Sequence, residues 1–163
     1  MTFKIVPNPR PQAAYGLCDT PFGKAVIGIC EDCVCWLSFE SEPDEFIEFW
    51  GDAVKNQTLV QKFADRIFAD ETVGIMVTGT PFQINVWKAL MRVKKPLSYT
   101  ELATMAGMPK AVRSVATAVG KNNISYIIPC HRIVRSDGSI GQYRWGSEIK
   151  AMILEAERGG KIN

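Results

Sequence analysis

A cysteine directly followed by the only histidine of the chain, Cys130-His131, is the pair of residues best suited to chemistry. The pair lies behind Pro129 in the apolar stretch IIPCHRIV, residues 127–134. A thiol reacts as its thiolate, and the imidazole of His131 could act as the base that produces it. The residue types alone leave three interpretations open: a nucleophilic thiol, a metal ligand, or a small buried side chain without reactivity.

His131 needs further partners before it can serve Cys130 as a base. Adjacent residues of an extended strand point to opposite faces, so direct contact is not assured and a bridging water is an alternative. A carboxylate must also orient the imidazole, and the last helix offers Glu155 and Glu157 without a means of choosing between them. A cysteine hydrolase remains a further alternative, but it would need an oxyanion hole that the sequence does not locate.

Four other cysteines precede this pair and raise the question of a metal site. An odd total of five, in a chain whose N-terminus has no apolar signal segment, predicts free thiols in a reducing compartment. Structural zinc needs four ligands, and the spacing C-x-x-C-x-C falls in a predicted strand-turn-strand, so we expect buried hairpin cysteines and no metal. The four are Cys18, Cys30, Cys33 and Cys35.

The composition predicts a globular protein with a basic face. Hydrophobic residues make up 47% of the 163 residues and charged residues 22%, which excludes a disordered chain and allows a sizeable core. The net charge is only +2, but residues 88–121 hold seven lysines and arginines against one acid, Glu101. That stretch predicts an electropositive surface for a nucleic acid, with an ordinary solvated surface as the alternative. No stretch is long and apolar enough to cross a membrane.

The residue pattern of the first 76 residues predicts a small α+β unit. Two β-branched runs would pair as a hairpin around Glu31-Asp32-Cys33. Apolar residues at helical spacing predict an amphipathic helix after this hairpin. The predicted elements are strands over 24–30, 34–39 and 73–77 and helices over 43–50 and 58–70.

The pattern of residues 77–163 predicts a mostly helical unit. Two capping boxes, Thr-Pro-Phe-Gln over 80–83 and Ser-Tyr-Thr-Glu over 98–101, would each begin a helix. Gly107 breaks the second of these helices and Pro109 begins a third, which is the form of a helix-turn-helix. Such pairs are often only packed helices, so DNA binding and simple packing both remain open.

The remainder of the chain predicts the segment that carries Cys130. Gly120 ends the third helix, and residues 121–123 form a turn. An extended strand over 124–134, broken at Pro129, precedes a hairpin turn at Asp137-Gly138. The last helix would be capped by Ser147, ended by Gly159, and face inward with Ile149, Met152, Ile153 and Ala156.

These motifs together resemble one family, the O6-alkylguanine-DNA alkyltransferases, also called methylated-DNA–protein-cysteine methyltransferases. The motifs are PFQxxVWxAL, SYxELA, PKAVRxVA, an asparagine seven positions before PCHR, and GxxGxYxxG, here GSIGQYRWG. They cover about half of the chain, from TPFQINVWKAL to ILEAE. The resemblance implies an α+β fold: an N-terminal RNase H-like small sheet of three strands with helices in residues 1–76, and a mostly helical helix-turn-helix alkyltransferase domain in residues 77–163.

The resemblance also implies a reaction. Cys130 corresponds to an acceptor that attacks the alkyl carbon on O6 of guanine, displaces the base and keeps the alkyl group, so each molecule acts once. His131 corresponds to a water-mediated base, Glu157 to the carboxylate that orients it, and Asn122 to the residue that holds the turn before the active-site segment. Neither a cofactor nor a metal is implied.

The implied partner is double-stranded DNA that contains O6-alkylguanine, bound through the minor groove by a monomer, with the base flipped out of the duplex. Arg113 corresponds to the residue that enters the stack in the base's place. A cytoplasmic location, or a nuclear one in a eukaryote, is implied as well, without membrane attachment. The implied DNA contacts are Arg113, Tyr99, Lys110, Ser114, Ala116 and Ser136, and the implied base-pocket residues are Tyr99, Val119, Ile133, Tyr143 and Arg144.

The sequence also departs from the pattern of the family. The loop RVKKPLSY is shorter than usual, Asn123 stands where many members have proline, and Arg144-Trp145 replaces small residues. The bulk of Arg144-Trp145 predicts a narrowed pocket that prefers methyl over benzyl-sized groups. Two other classes remain as alternatives. A non-catalytic lesion binder would usually carry tryptophan at the position of Cys130, and a transcriptional regulator would carry a separate zinc-bearing N-terminal domain for which this chain is too short.

Overall fold

The computed structural model describes residues 2–159, which form two compact units, residues 2–78 and residues 79–159. The first unit contains a six-stranded sheet with two helices, and the second contains helices around a two-stranded sheet. The outer ends of the two predicted domains, residue 1 and residues 160–163, lie outside the described residues. Among residues 2–159, no helix combines the length and the apolar character that a bilayer crossing requires.

The sheet of the first unit is larger than the three strands that the resemblance implies. Its centre is the antiparallel set β2-β3-β4, and three short strands extend it through parallel pairs. Of these short strands, β6 was predicted within residues 73–77, whereas β1 and β5 were missed because each spans only three residues, too few to give a periodic pattern. The eight-residue strand β2 was not predicted either. The strands are β1 (Phe3–Ile5), β2 (Ala13–Thr20), β3 (Gly23–Cys30), β4 (Cys33–Ser38), β5 (Ala53–Lys55) and β6 (Gly74–Val77), in the order β1-β6-β4-β3-β2-β5.

The predicted hairpin is present, with a tighter turn than expected. Glu31 and Asp32 both have positive φ values, 50° and 62°, so the turn needs only these two residues. Cys33 therefore begins β4, opposite Cys30. Both cysteines and Cys35 are buried in the core of this unit, where burial raises the pKa of each thiol.

Two helices pack in the first unit: α1 (Asp44–Trp50) and α2 (Gln57–Phe68). The amphipathic pattern predicted for α2 is confirmed, since its apolar residues are buried except Leu59, which is half-buried. Asn56 is the N-cap of α2, and its side chain accepts a hydrogen bond from the backbone N–H of Leu59 at 3.2 Å.

The second unit begins with the two helices that the capping boxes predicted: α3 (Pro81–Leu90) and α4 (Tyr99–Met105). Both capping boxes are formed with their reciprocal hydrogen bonds. Gly107 ends the turn after α4 with a φ of 78°, a conformation that glycine adopts without steric cost. The third helix, α5, spans Val112–Gly120.

Two predicted helix starts are wrong. Residues 108–111 form a turn, closed by the Ala111 N–H on the Met108 carbonyl at 3.0 Å, so α5 begins three residues after Pro109. The last helix, α6 (Ser147–Arg158), has Gly146 as its N-cap, with a φ of 103°, so Ser147 is its first helical residue and not its cap. Ser147 makes no capping hydrogen bond.

The segment that carries Cys130 is not the extended strand that we predicted. Ile124 forms an isolated bridge, residues 125–128 form a turn and a bend, Cys130–Arg132 form a 3-10 turn, and only β8 (Ile133–Val134) is a strand within residues 124–134. β8 pairs in parallel with β7 (Leu97–Ser98) and not with a returning hairpin strand. Asp137-Gly138 does form a turn, in which the Asp137 carboxylate accepts from Ser139, but the described residues contain no hairpin there.

Candidate active site

Cys130 is the first residue of the 3-10 turn and is 8% exposed. The turn points Cys130 and His131 differently from an extended strand, so the alternation expected for neighbouring strand residues does not apply. Burial raises the pKa of the Cys130 thiol, while a hydrogen bond from Asn122 and the charge of Lys150 act in the opposite direction. The thiol is therefore the resting form at neutral pH, and its surroundings favour the thiolate once the proton leaves.

Asn122 organises the backbone around the thiol. Its amide nitrogen donates to the carbonyl oxygen of Ile128 at 2.9 Å and to Cys130 Sγ at 3.2 Å. Its amide oxygen accepts from the backbone N–H of Ile124 at 2.9 Å. Asn122 is buried, so these three bonds replace water in holding residues 124–130 as turns.

His131, the residue after Cys130, is fully buried. Its Nε2 lies 3.0 Å from Glu157 Oε2, and because a carboxylate only accepts, Nε2 carries the proton of the neutral ring. Burial lowers the pKa of His131 despite this carboxylate, which keeps the imidazole neutral. Nδ1 is left as the basic nitrogen, and within residues 2–159 it has no hydrogen-bond partner. Tyr126, in a left-handed conformation with a φ of 71°, stacks on the ring at 6.0 Å.

Glu157 is bound from two sides, by His131 and by Arg132. Arg132 Nε and Nη2 donate to the two carboxylate oxygens at 3.1 and 2.8 Å, and Nη1 donates to the Val93 carbonyl at 2.6 Å. Burial alone would raise the pKa of Glu157, but these hydrogen bonds outweigh burial and lower it to about 2. Glu155, the other candidate carboxylate, is exposed and pairs with Arg158. Sequence reasoning missed Arg132, although the motif PCHR contains it.

Of the four residues that we predicted to face inward from helix α6, Ile153 is buried and Ile149 and Ala156 are half-buried, but Met152 is not, so the helix is rotated relative to the predicted face. Met152 is 47% exposed, whereas Lys150, Ile153 and Glu157 share the buried or half-buried side at positions i, i+3 and i+7. Lys150 is 1% exposed, and its Nζ donates to the carbonyls of Ile133 at 2.6 Å and Gln142 at 3.1 Å. Nothing in the sequence marked Lys150, since a lysine next to an apolar stripe is ordinarily a surface residue.

A cavity of about 460 Å³ opens in front of Cys130. Its wall brings together most of the residues that the resemblance selected, and it adds four that sequence reasoning missed: Thr117, Gly120, Ser125 and Gln142. Six selected residues do not line it: Ile133, Lys110, Ser114, Ser136, His131 and Glu157. The selected residues in the wall are Tyr99, Arg113, Ala116, Val119, Asn122, Cys130, Tyr143 and Arg144.

The residues selected as DNA contacts occupy the outer surface of this unit. Arg113 and Ser114 are exposed on α5, and Ala116 on the same helix is half-buried. Lys110 is exposed in the turn before α5, and Ser136 is exposed in the loop after β8. Small or charged side chains thus leave one side of α5 open to a large ligand.

Arg144, at the rim of the cavity, and its neighbour Trp145 bind to residues 122–125. The Arg144 guanidinium lies 4.6 Å from the centre of the Trp145 ring, and its Nη1 donates to the Asn122 carbonyl at 3.2 Å and the Asn123 side chain at 3.1 Å. Trp145 Nε1 donates to Ser125 Oγ at 2.6 Å. The two bulky residues therefore join the rim to the turn that Asn122 organises.

The cysteines and the possible metal-holding groups can be followed through residues 2–159. All five cysteines are buried free thiols. Within residues 2–159, no group of three or more His, Cys, Asp and Glu residues is arranged to hold a metal ion.

The chain matches proteins of one family. Residues 81–159 match the family model described as 6-O-methylguanine DNA methyltransferase, DNA binding domain. The chain is 31% identical over 159 residues to the constitutive methylated-DNA–protein-cysteine methyltransferase of Bacillus subtilis, covering 88% of this chain and 94% of that protein. It is 47% identical over 88 residues to the bifunctional transcriptional activator/DNA repair enzyme Ada of Escherichia coli, covering 53% of this chain.

Coverage differs among these relatives. The chain spans 25% of the length of Ada and less than two thirds of several other curated relatives. A crystal structure of Mycobacterium tuberculosis OGT in complex with DNA matches with a TM-score of 0.77 at 28% identity, covering 91% of this chain and 94% of that one. This likeness, together with the observed sheet and helices, confirms the α+β fold class.

Proposed function

The chain belongs to the methylated-DNA–protein-cysteine methyltransferase family, and from this premise we propose that it transfers an alkyl group from O6 of guanine in DNA to its own Cys130. The observation that carries the proposal is the thiol itself, which lies in the wall of a 460 Å³ cavity with the Asn122 amide donating to its sulfur at 3.2 Å. A donor aimed at sulfur stabilises the negative charge of a thiolate during attack. No cofactor takes part.

The proton of Cys130 leaves through His131. Nδ1 is the free basic nitrogen of the neutral ring, and a bridging water would carry the proton from Sγ to it. Glu157 stabilises the imidazolium that forms, because its carboxylate remains charged down to a pKa of about 2. Arg132 holds that carboxylate from its other side.

The transfer is one displacement at carbon. The Cys130 sulfur attacks the alkyl carbon, the carbon–sulfur bond forms as the bond to O6 breaks, and guanine leaves with the electron pair. Burial raises the pKa of Tyr99, which keeps its hydroxyl protonated, so Tyr99 would donate to the departing base from the cavity wall. A thioether is stable in water, so each molecule reacts once.

The substrate is double-stranded DNA that contains O6-alkylguanine. A base inside the duplex cannot present O6 to a buried sulfur, so the nucleotide must be flipped into the cavity, where Val119, Tyr143 and Arg144 would surround it. The protein binds as a monomer, with α5 in the minor groove, where readout is nearly independent of sequence. We assign these contacts and the chemistry to the predicted C-terminal domain, residues 77–163.

The proposal is tested by mass spectrometry of the intact protein and its peptides after mixing with a duplex that contains one O6-methylguanine. We expect a gain of one methyl group on the Cys130 peptide, at one per protein molecule, and no gain in Cys130→Ser. Tight binding without a mass gain would overturn the transfer reaction and place the protein among lesion binders.

Arg113→Ala should slow transfer from duplex DNA about tenfold and leave transfer from the free base O6-methylguanine unchanged. An exposed arginine at the cavity rim can stabilise a duplex from which the base has left, which costs a few kcal/mol, and the free base has no such cost. Rates on both substrates are read from the mass gain. Arg92→Ala, at an exposed arginine outside the cavity wall, is the control, and an equal loss on both substrates would contradict the role of Arg113.

O6-benzylguanine should react at least about tenfold more slowly than O6-methylguanine. Arg144 lines the cavity and is bound to the Asn122 turn, and Trp145, which stacks on Arg144, is bound to Ser125, so Arg144 cannot move aside for a larger group without losing these contacts. The double variant Arg144→Ser, Trp145→Gly should gain reactivity toward the benzyl compound. Equal rates in the unmodified protein would show that the two side chains do not limit the pocket.

A further inference from the structure

Lys150 is a buried ammonium group whose charge the proposed reaction does not yet use. Its only hydrogen-bond acceptors among residues 2–159 are two backbone carbonyls, those of Ile133 and Gln142, and it makes no ion pair there. Ile133 follows the 3-10 turn that begins with Cys130, and Gln142 lines the cavity. Lys150 therefore lies between the backbone of the thiol and the backbone of the cavity rim.

The charges around Cys130 do not cancel without the thiolate. Arg132 and Glu157 neutralise each other through their bidentate ion pair, and His131 is neutral. Lys150 is left as an uncompensated buried cation, and isolated buried charges are unfavourable. A negative charge on the Cys130 sulfur would complete the balance.

Other ionisable groups face Lys150 and Cys130, but none replaces that negative charge. Arg135 adds positive charge near Lys150, and Tyr99 and Tyr143 near the thiol have raised pKa values through burial, so both stay neutral. Burial lowers the pKa of Lys150 to about 8, so the amine is still mostly protonated at pH 7. The attraction between Lys150 and the sulfur favours the ionised form of each.

We propose that Lys150 is a positioning residue of the alkyl transfer: its buried charge stabilises the Cys130 thiolate, while its two hydrogen bonds hold the thiol backbone and the cavity rim in register. This inference rests on the proposed function. The stabilisation is strongest at the moment when the proton has left and the alkyl carbon has not yet been transferred. It weakens once sulfur becomes a neutral thioether.

The test uses two small reagents of nearly equal size on the full chain. The Cys130 sulfur attacks the methylene carbon of iodoacetamide or iodoacetate, the carbon–sulfur bond forms as the carbon–iodine bond breaks, and iodide leaves with the electron pair. The sulfur then carries a neutral carbamidomethyl group or a negative carboxymethyl group. If the charge of Lys150 acts on this position, the carboxymethyl protein should melt at a higher temperature than the carbamidomethyl protein. Equal melting temperatures, or the opposite order, would overturn the proposal without reference to DNA.

Variants of Lys150 separate its charge from its hydrogen bonds. Lys150→Gln keeps N–H donors without charge, Lys150→Met keeps neither, and Lys150→Arg keeps the charge. In Lys150→Gln and Lys150→Met, carbamidomethylation at pH 7 should slow about tenfold, the apparent thiol pKa should rise by about one unit, and the two adducts should melt alike. Lys150→Arg should restore part of the rate.

The outcomes distinguish this inference from the proposed function. If the carbamidomethylation rate of Lys150→Gln depends on pH as it does in the unmodified protein, the role of Lys150 is purely structural, even if transfer from DNA occurs. If no alkyl group is transferred from DNA, while the pH dependence of carbamidomethylation and the order of the two melting temperatures are as expected, the proposed function alone is overturned. Cys130→Ala treated in parallel reports any reaction at the other thiols, and if Lys150→Gln fails to fold, the adduct comparison in the unmodified protein decides.

Discussion

Asn122→Ala is expected to lose roughly 100-fold in alkyl transfer and roughly 2–5 kcal/mol of folding stability, a fall in Tm of roughly 5–15 °C. The alanine leaves the Ile128 carbonyl and the Ile124 N–H buried without their partner, and each such loss costs about 1–3 kcal/mol. It also removes the donor to the Cys130 sulfur, which is the group that gains charge in the reaction. Thermal unfolding and the rate of mass gain measure the two effects.

Asn123→Ala is the matched control for this variant. Asn123 is adjacent, only half-buried, and its side chain accepts one hydrogen bond, from Arg144. We expect a loss of stability below about 1.5 kcal/mol and a transfer rate within a few fold of the unmodified protein. If Asn122→Ala reacted as fast as Asn123→Ala, the donor to sulfur would not matter for the transfer.

The parts of the fold that could be predicted from the sequence are those that bonds between neighbouring residues determine. In both capping boxes the two bonding partners are three residues apart, so residue types at that spacing were enough to locate α3 and α4. The hairpin at Glu31-Asp32 was found for the same reason, because its strands adjoin the turn.

The segment around Cys130 could not be predicted because distant side chains hold it. The apolar β-branched residues of 124–134 favour a strand, but Asn122 takes up the backbone groups that a strand would pair with another strand. Lys150, twenty positions after Cys130, then takes up the Ile133 carbonyl. The rotation of α6 has the same origin. The hydrogen bonds of Lys150 to buried carbonyl groups and of Arg132 to Glu157 stabilise the observed face more than the burial of Met152 would stabilise the predicted one.

Cys130 and His131 were candidates from their residue types alone, but most of the other candidate residues came from motif resemblance. Residue types and positions left Glu155 and Glu157 equivalent, and only the fold separates them. The two lie two positions apart on α6, about 200° around the helix axis, so one faces His131 while the other faces solvent. Whether Glu157 acts in the transfer stays a prediction.

Glu157→Gln should reduce the transfer rate by about 100-fold or more and change how stability depends on pH. The amide carries no charge to stabilise the imidazolium of His131, so proton removal from Cys130 becomes harder. It also leaves Arg132, which is partly buried, without its anion, and breaking such a pair costs about 3 kcal/mol at neutral pH. Rates are measured by mass gain, and stability by unfolding in denaturant.

The pH dependence follows from the two shifted groups. Glu157 has a folded pKa of about 2, below the unfolded value of 4.5, so its contribution to stability is complete above about pH 4.5 and is lost as the pH falls toward 2. His131 has a lowered pKa, so the unfolded chain binds its proton first, and stability already begins to fall below about pH 6.5.

Glu157→Gln should therefore keep the decline that starts near pH 6.5 and lose the decline between about pH 4.5 and 2. Glu155→Gln, on the same helix with an exposed carboxylate, should keep both declines and the full transfer rate. If the stability of Glu157→Gln falls with decreasing pH in the same way as that of Glu155→Gln, Arg132 and His131 do not hold this carboxylate in solution. The mechanism would then need another group to orient His131, because without one the neutral ring has no reason to keep Nδ1 free for the proton of Cys130.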